Sequence, residues 1–178
     1  MDSGTLHVYH TELYFQTEPI DKVYDAVPLE PGVLTEGSLI KGHTLSIVST
    51  TPLSAGKHIN TYTVSIYDQN GVDVTYYYYI RKNFTVATIS PLSLIIKAAD
   101  AQKKYDGTPL TCPHASIIEG SLLQGHRIDT LVVVGSQTAV GRSENVVSKI
   151  KIVDADGNDV SENYMIEFQV GKLRVTFS

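Results

Sequence analysis

Tyr105-Asp106-Gly107-Thr108-Pro109-Leu110, followed by Glu119-Gly120-Ser121-Leu122 and Gly125-His126, has an earlier counterpart in the same chain. There Tyr24-Asp25 precedes Pro28-Leu29, Glu36-Gly37-Ser38-Leu39 and Gly42-His43. Tyr24 and Tyr105 stand 81 positions apart, and Asp68 and Asp154 stand 86 apart. Self-similarity at this spacing marks one structural unit set beside its like. It predicts two domains, over residues 11–88 and 89–178. Gly171-Lys172-Leu173-Arg174-Val175-Thr176 closes the second copy, and Gly4-Thr5-Leu6-His7-Val8-Tyr9 shares its pattern. Residues 1–10 are therefore expected to be the closing strand of a preceding repeat.

Apolar residues alternate with period two, as half-buried strands require. Val146, Ser148, Ile150 and Ile152 are expected on one face, with Val147, Lys149 and Lys151 on the other; Leu173, Val175 and Phe177 oppose Lys172, Arg174 and Thr176. Leu94-Ile95-Ile96 and Leu131-Val132-Val133-Val134 read as strands buried on both sides. Helical spacing is nowhere sustained; Glu36 to Lys41 and Glu119 to Gln124 offer at most one turn, ended by Gly42 or Gly125. The expected fold is all-β, two small domains, each an Ig-like sandwich or a β-grasp-like sheet with first and last strands side by side. Asn70-Gly71, Asp156-Gly157 and Asp106-Gly107 suit turns that need positive φ. Ala26 stands where the second copy has Gly107, which predicts strain or a different turn. Tyr164 to Leu173 reads as a hairpin, and Ala87 to Pro91 as a short interdomain linker.

With 14 Lys and Arg against 19 Asp and Glu, the net charge of −5 lacks the basic surface that phosphate neutralisation needs, which excludes nucleic acid as a partner. The single cysteine, Cys112, has no internal partner for a disulfide. No apolar run reaches the length of a membrane span, so no membrane contact is expected.

Lys104-Tyr105-Asp106-Gly107-Thr108-Pro109-Leu110, Ile152-Val153-Asp154-Ala155-Asp156-Gly157-Asn158-Asp159-Val160-Ser161, Asn163-Tyr164-Met165-Ile166 and Gly171 to Thr176 together resemble the Tyr-Asp-Gly-type tandem repeats of Gram-positive surface proteins. These are grouped with MBG-like and bacterial Ig-like adhesin-stalk modules. The resemblance covers both copies, from about Thr11 onward, although the first lacks a counterpart of Gly107 and has no Asn before Tyr78. It implies a bacterial cell-surface or secreted location, neighbouring repeats of the same chain as partners, and a structural stalk role without catalysis.

Each candidate site has a structural reading beside the functional one. Asp154, Asp156, Asn158 and Asp159 offer hard oxygen ligands for calcium, but Gly157 comes too early for an EF-hand and no bidentate Glu follows. A polar hairpin turn is the expectation, and likewise for Asp68, Asn70 and Asp73. In Tyr76-Tyr77-Tyr78-Tyr79, strand alternation puts Tyr76 and Tyr78 on one face and Tyr77 and Tyr79 on the other. One face is expected to pack, and the other could meet a host glycan or protein. His43 and His126 share a position and are expected to hydrogen-bond a loop. Cys112-Pro113-His114 lacks the companions of a nucleophilic site, and the chain carries no nucleophile-elbow, zinc-protease or phosphate-loop motif. An internal Lys–Asn cross-link would draw on Lys149, Lys151, Asn145 and Asn163, yet both lysines fall on the polar face. The expectation is a monomeric non-enzyme with no cofactor or metal. Its architectural residues are Tyr24, Tyr105, Gly37, Gly120, Gly42, Gly125, Gly71, Gly157, Tyr78 and Tyr164.

Overall fold

The computed structural model describes residues 10–177; the closing strand expected over residues 1–10 lies, His10 apart, outside them. The chain is all-β and divides into two compact units. One unit runs up to Lys22 and from Val27 to Ile89; the other takes Val23–Ala26 together with Ser90 onward. The first contains β1 (Thr11–Gln16), β2 (Ile20–Val23), β3 (Val33–Glu36), β4 (Thr44–Ser49), β5 (Gly56–Ile59), β6 (Tyr62–Tyr67), the 3-10 turn η1 (Thr75–Tyr77), β7 (Tyr78–Asn83) and β8 (Val86–Ser90). The second contains β9 (Leu92–Ala98), β10 (Ala101–Lys104), β11 (Ala115–Glu119), β12 (Arg127–Val134), β13 (Gly141–Val153), η2 (Ser161–Asn163), β14 (Tyr164–Gln169) and β15 (Gly171–Thr176).

In the second unit the sheet β11-β9-β14 faces the sheet β10-β15-β13-β12. Leu94, Ile96 and Ala98 of β9 meet Val147 and Ile152 of β13 between them, all nearly or wholly buried. Tyr164 pairs with Leu92 and Gln169 with Lys97, in parallel; Ala101 then pairs with Leu173 and Lys104 with Thr176, also in parallel. Every partner in both ladders is 72 positions away. Only Val170 separates β14 from β15, too little chain for a reversal. The opening residues of the unit and its closing residues therefore form two ribbons that run side by side in one register. They change sheet together near Ala99 and Gly171, where a Cβ on Gly171 would lie 2.3 Å from the Ala99 carbonyl oxygen. The first unit opens the same way, with Thr11 beside Tyr78 and Gln16 beside Asn83.

Several local expectations change. Tyr164 to Leu173 is not a hairpin, since β14 and β15 bond to different neighbours. Ala87 to Pro91 does join the two units, the division falling between Ile89 and Ser90, but as strand and not as a free linker: Val86–Ser90 is β8, paired with β5, and Ala87 and Ile89 are buried. Neither proposed helical turn forms, because Gly37 and Gly120 adopt φ of +90° and +78° right after β3 and β11. Val147 points inward, because Ser148 is an extra residue between the pairs Val132–Lys149 and Val133–Val147. Such a bulge reverses the alternation read from the sequence. Val132 and Val134 are exposed, since β12 is an edge strand covered on one face only.

Ala26 has φ of +58° and is the one non-glycine with positive φ among the described residues. Its turn is left-handed, as Gly107 is at +81°, so the expectation of strain holds. A left-handed Cβ-bearing residue costs roughly 1–2 kcal/mol, and glycine loses about 0.5–1 kcal/mol more entropy on folding. Ala26→Gly should therefore stabilise the chain by about 0.5–1 kcal/mol, read as a higher urea midpoint at unchanged slope.

Candidate functional site

Two corners of like construction, one in each unit, join a histidine to a tyrosine hydroxyl. In the second unit η2 delivers Tyr164, whose hydroxyl accepts the Leu123 N–H at 3.2 Å and lies 2.6 Å from His126 Nδ1. In the first, η1 delivers Tyr78, whose hydroxyl accepts the Ile40 N–H at 3.0 Å and lies 2.7 Å from His43 Nδ1. A phenol that already accepts a backbone N–H is satisfied by donating its own proton to Nδ1. The rings meet edge-on, with centroids 5.8 and 5.9 Å apart. Burial raises the Tyr164 pKa, opposed by the Leu123 N–H. The loop contact expected of His43 and His126 is thus made through a tyrosine hydroxyl, which ties β14 or β7 to the loop before β12 or β4.

The acidic loops are turns held by their own carboxylates. Asp154 Oδ1 accepts the N–H groups of Asp156 and Asn158 at 2.9 Å each, and Oδ2 accepts the Asn158 side-chain amide at 3.0 Å. Asp68 does the same for Asn70 and Val72. Just ahead of η2 and η1, Asp159 and Asp73 accept the N–H of Ser161 and Thr75, two residues on. Asp106 Oδ1 accepts from Lys103 Nζ at 2.7 Å and from the Thr108 N–H at 2.9 Å. Both Asp154 oxygens and one oxygen of Asp159 are thereby engaged. No group of three or more potential metal-ligating side chains gathers among the described residues.

These bonds favour the charged form and lower each carboxyl: Asn158 foremost for Asp154, Lys103 for Asp106, Ser161 for Asp159, the Val72 N–H for Asp68 and Thr75 for Asp73. A carboxyl lowered on folding binds fewer protons when folded, so it stabilises above its unfolded value of 3.8 and loses that contribution as pH falls below it. The urea midpoint should be level from about pH 7 to 5 and decline from about pH 4 downward. Asp106→Asn should flatten part of that decline; an unchanged pH profile in the variant would refute the assignment.

Tyr76-Tyr77-Tyr78-Tyr79 does not alternate as a strand. Thr75–Tyr77 is a 3-10 turn, so Tyr76 and Tyr77 lie against each other at 4.3 Å between centroids, and only Tyr78 is buried. Tyr79 is exposed under the Arg81 guanidinium, which pairs with Glu12. The second unit carries Glu162, Asn163, Tyr164 and Met165 at these places. Shallow grooves open beside each β-bulge, at Glu12, Tyr14, Glu36, Gly37 and Arg81 in one unit and at Ser93, Ile95, Glu119, Gly120, Met165 and Glu167 in the other. They share only the Glu-Gly pair, so they have no ligand chemistry in common.

No family model, curated protein or solved structure matches the chain. The site must be read from its own geometry.

Sequence reasoning named Asn145 only as a cross-link candidate and missed its structural role. It is fully buried where β13 passes from pairing with β15 to pairing with β12. Its amide donates to the carbonyls of Ala99 at 2.9 Å and Cys112 at 2.8 Å. That role leaves no amide free for a lysine cross-link, and it fastens Cys112-Pro113-His114 as a loop, with the His114 carbonyl accepting the Ala99 N–H. Asn60 occupies the matching break between β5 and β6, also fully buried, and donates to the Glu30 carbonyl. An Asn inside an otherwise alternating strand was the available signal. The paired features found here fasten the backbone.

Proposed function

We propose that the chain is a structural stalk module of a bacterial cell-surface or secreted protein, two tandem copies of one β-unit that present a distal functional domain. The observation that carries this reading is the pair of parallel ribbons. A chain that enters beside Tyr164 and leaves beside Lys104 crosses its unit from end to end. Tension along the backbone then loads both ladders along the strand axis, where neighbouring hydrogen bonds resist together and do not open one after another. The same register spans 13 residues on each side, about 40 Å at strand rise. The acidic surface and the carboxylate-locked turns fit a preformed, calcium-independent element.

Single-molecule pulling through the two ends tests this. Two unfolding steps are expected, each releasing roughly 80 residues, or on the order of 290 Å of extended chain before subtracting the folded length. Each should need more force than the same unit pulled between β12 and β15, which peels the sheet from its edge. Equal forces in the two geometries would remove the mechanical argument.

A second reading, a binding module for host glycan or protein, draws on one observation: Tyr76, Tyr77 and Tyr79 are exposed in the first unit only. Tyr76→Ala with Tyr79→Ala should then abolish retention on immobilised host glycans or matrix proteins while the pulling trace is unchanged.

A further inference from the structure

We propose that Tyr105 is a docking tyrosine whose seat is the His43–Tyr78 corner of a second copy of this chain. The second unit already holds an example of such a seat filled. It includes the short segment Val23–Ala26, and the Tyr24 ring is 4% exposed there. That ring lies edge-on to Tyr164 at 6.4 Å and tilted to His126 at 6.2 Å. Its hydroxyl is hydrogen-bonded by the Asn163 side chain. The Tyr24 N–H hangs on the Ser90 carbonyl, at the end of β8, at 2.8 Å.

Tyr105 is presented in the same way and is unfilled. Its N–H hangs on the Thr176 carbonyl, at the end of β15, also at 2.8 Å. It opens the same Tyr-Asp turn. Yet its ring is 49% exposed, and no aromatic ring packs against it among the described residues. The first unit meanwhile carries the matching receptor. His43 and Tyr78 repeat the His126–Tyr164 geometry to within 0.1 Å in both hydrogen bond and centroid distance. Tyr77, 46% exposed, stands where Asn163 is 3% exposed beneath Tyr24. The exposed ring thus stands on the second unit, and a second corner of the same His–Tyr construction stands on the first.

The chemistry of the occupant follows from the filled example. It must supply an aromatic ring with a hydroxyl, on a backbone anchored at a strand end, and a Tyr-Asp turn does so. One tyrosine buries roughly 150–250 Å², far less than the ~1,200 Å² of a stable free interface. Docking is therefore weak between separate chains and becomes populated when copies follow in series, where effective concentrations reach roughly millimolar. This rests on the proposed stalk reading, in which like units succeed one another.

The test uses a head-to-tail fusion of two copies in which Phe177 is followed directly by Thr11, matching the Ser90-Pro91-Leu92 spacing. Ser116→Thr in the second copy marks its Tyr105 peptide by mass. Both copies are nitrated with tetranitromethane, and the rate at each Tyr105 is read by mass spectrometry. The Tyr105 of the leading copy should react about fivefold more slowly than that of the trailing copy, as for a ring seated about four-fifths of the time. His43→Ala in the trailing copy should restore the rate, and so should Tyr77→Ala, which leaves the core pair intact. Equal rates at both Tyr105 rings overturn the proposal, as does protection that survives both substitutions. A fusion that unfolds in four high-force steps with both rings equally reactive would keep the stalk and discard the seat.

Discussion

Gly120→Ala is expected to destabilise the second unit by about 3 kcal/mol, from roughly 1–2 for the left-handed backbone and 1–3 for overpacking. The φ of +78° accounts for the first part. The second comes from the strand alongside: a Cβ here would sit 2.4 Å from the Ser93 carbonyl oxygen and 3.0 Å from Leu94 Cδ2. Ser93 belongs to β9, the opening ribbon, so the clash cannot relax without moving backbone that pairs on both sides. Against a total of roughly 5–14 kcal/mol for a unit of about 90 residues, this is a large loss. Gly157→Ala is the control, because its φ is +87° but nothing lies within 4 Å of the added carbon. It should cost only about 1–2 kcal/mol. Urea titrations followed by circular dichroism separate the two, and equal losses would show that close approach plays no part.

Asn145→Ala should cost about 2–5 kcal/mol, since it strands two part-buried carbonyls at roughly 1–3 kcal/mol each. Those carbonyls, of Ala99 and Cys112, belong to the sheet crossing and to the loop before β11. Asn145→Asp should be worse near neutral pH, because a carboxylate would face both carbonyls with no donor of its own. Its deficit should shrink on acidification, as the protonated acid regains one donor. A variant series in which Asp is milder than Ala at pH 7 would contradict this account. Asn60→Ala should be milder than Asn145→Ala, because Asn60 donates to one carbonyl at 3.2 Å and otherwise accepts from the Thr51 hydroxyl.

The strand content, the turn at Ala26, the carboxylate-held loops and the burial of Leu173 and Val175 were legible in period-two patterning and turn chemistry. What escaped was set by partners distant in sequence. Ser148 is an ordinary strand residue until β12 supplies the partner that skips it. Tyr76 and Tyr77 look like strand formers, yet Asp73 accepts the Thr75 N–H just ahead of a 3-10 turn that takes them out of the ladder. Ala87 to Pro91 reads as a linker because β8 is short, and its buried Ala87 and Ile89 show their role only once β5 lies alongside. The His–Tyr corners lay in plain sight as Gly42-His43 with Tyr78 and Gly125-His126 with Tyr164, but no local rule joins residues 35 or 38 positions apart.

The shared register of the two ribbons also bears on how the unit comes to fold. Its sheets close through contacts 72 positions apart, between the first residues made and the last. Until β15 is available, β10 has no neighbour in its sheet, and β13 lacks its partner over Gly141–Asn145. A growing chain that stops short of Gly171 should therefore gain little lasting structure, however much of the unit precedes that point. Completion should come late and all at once, at the slow end of the range for domains dominated by long-range pairing.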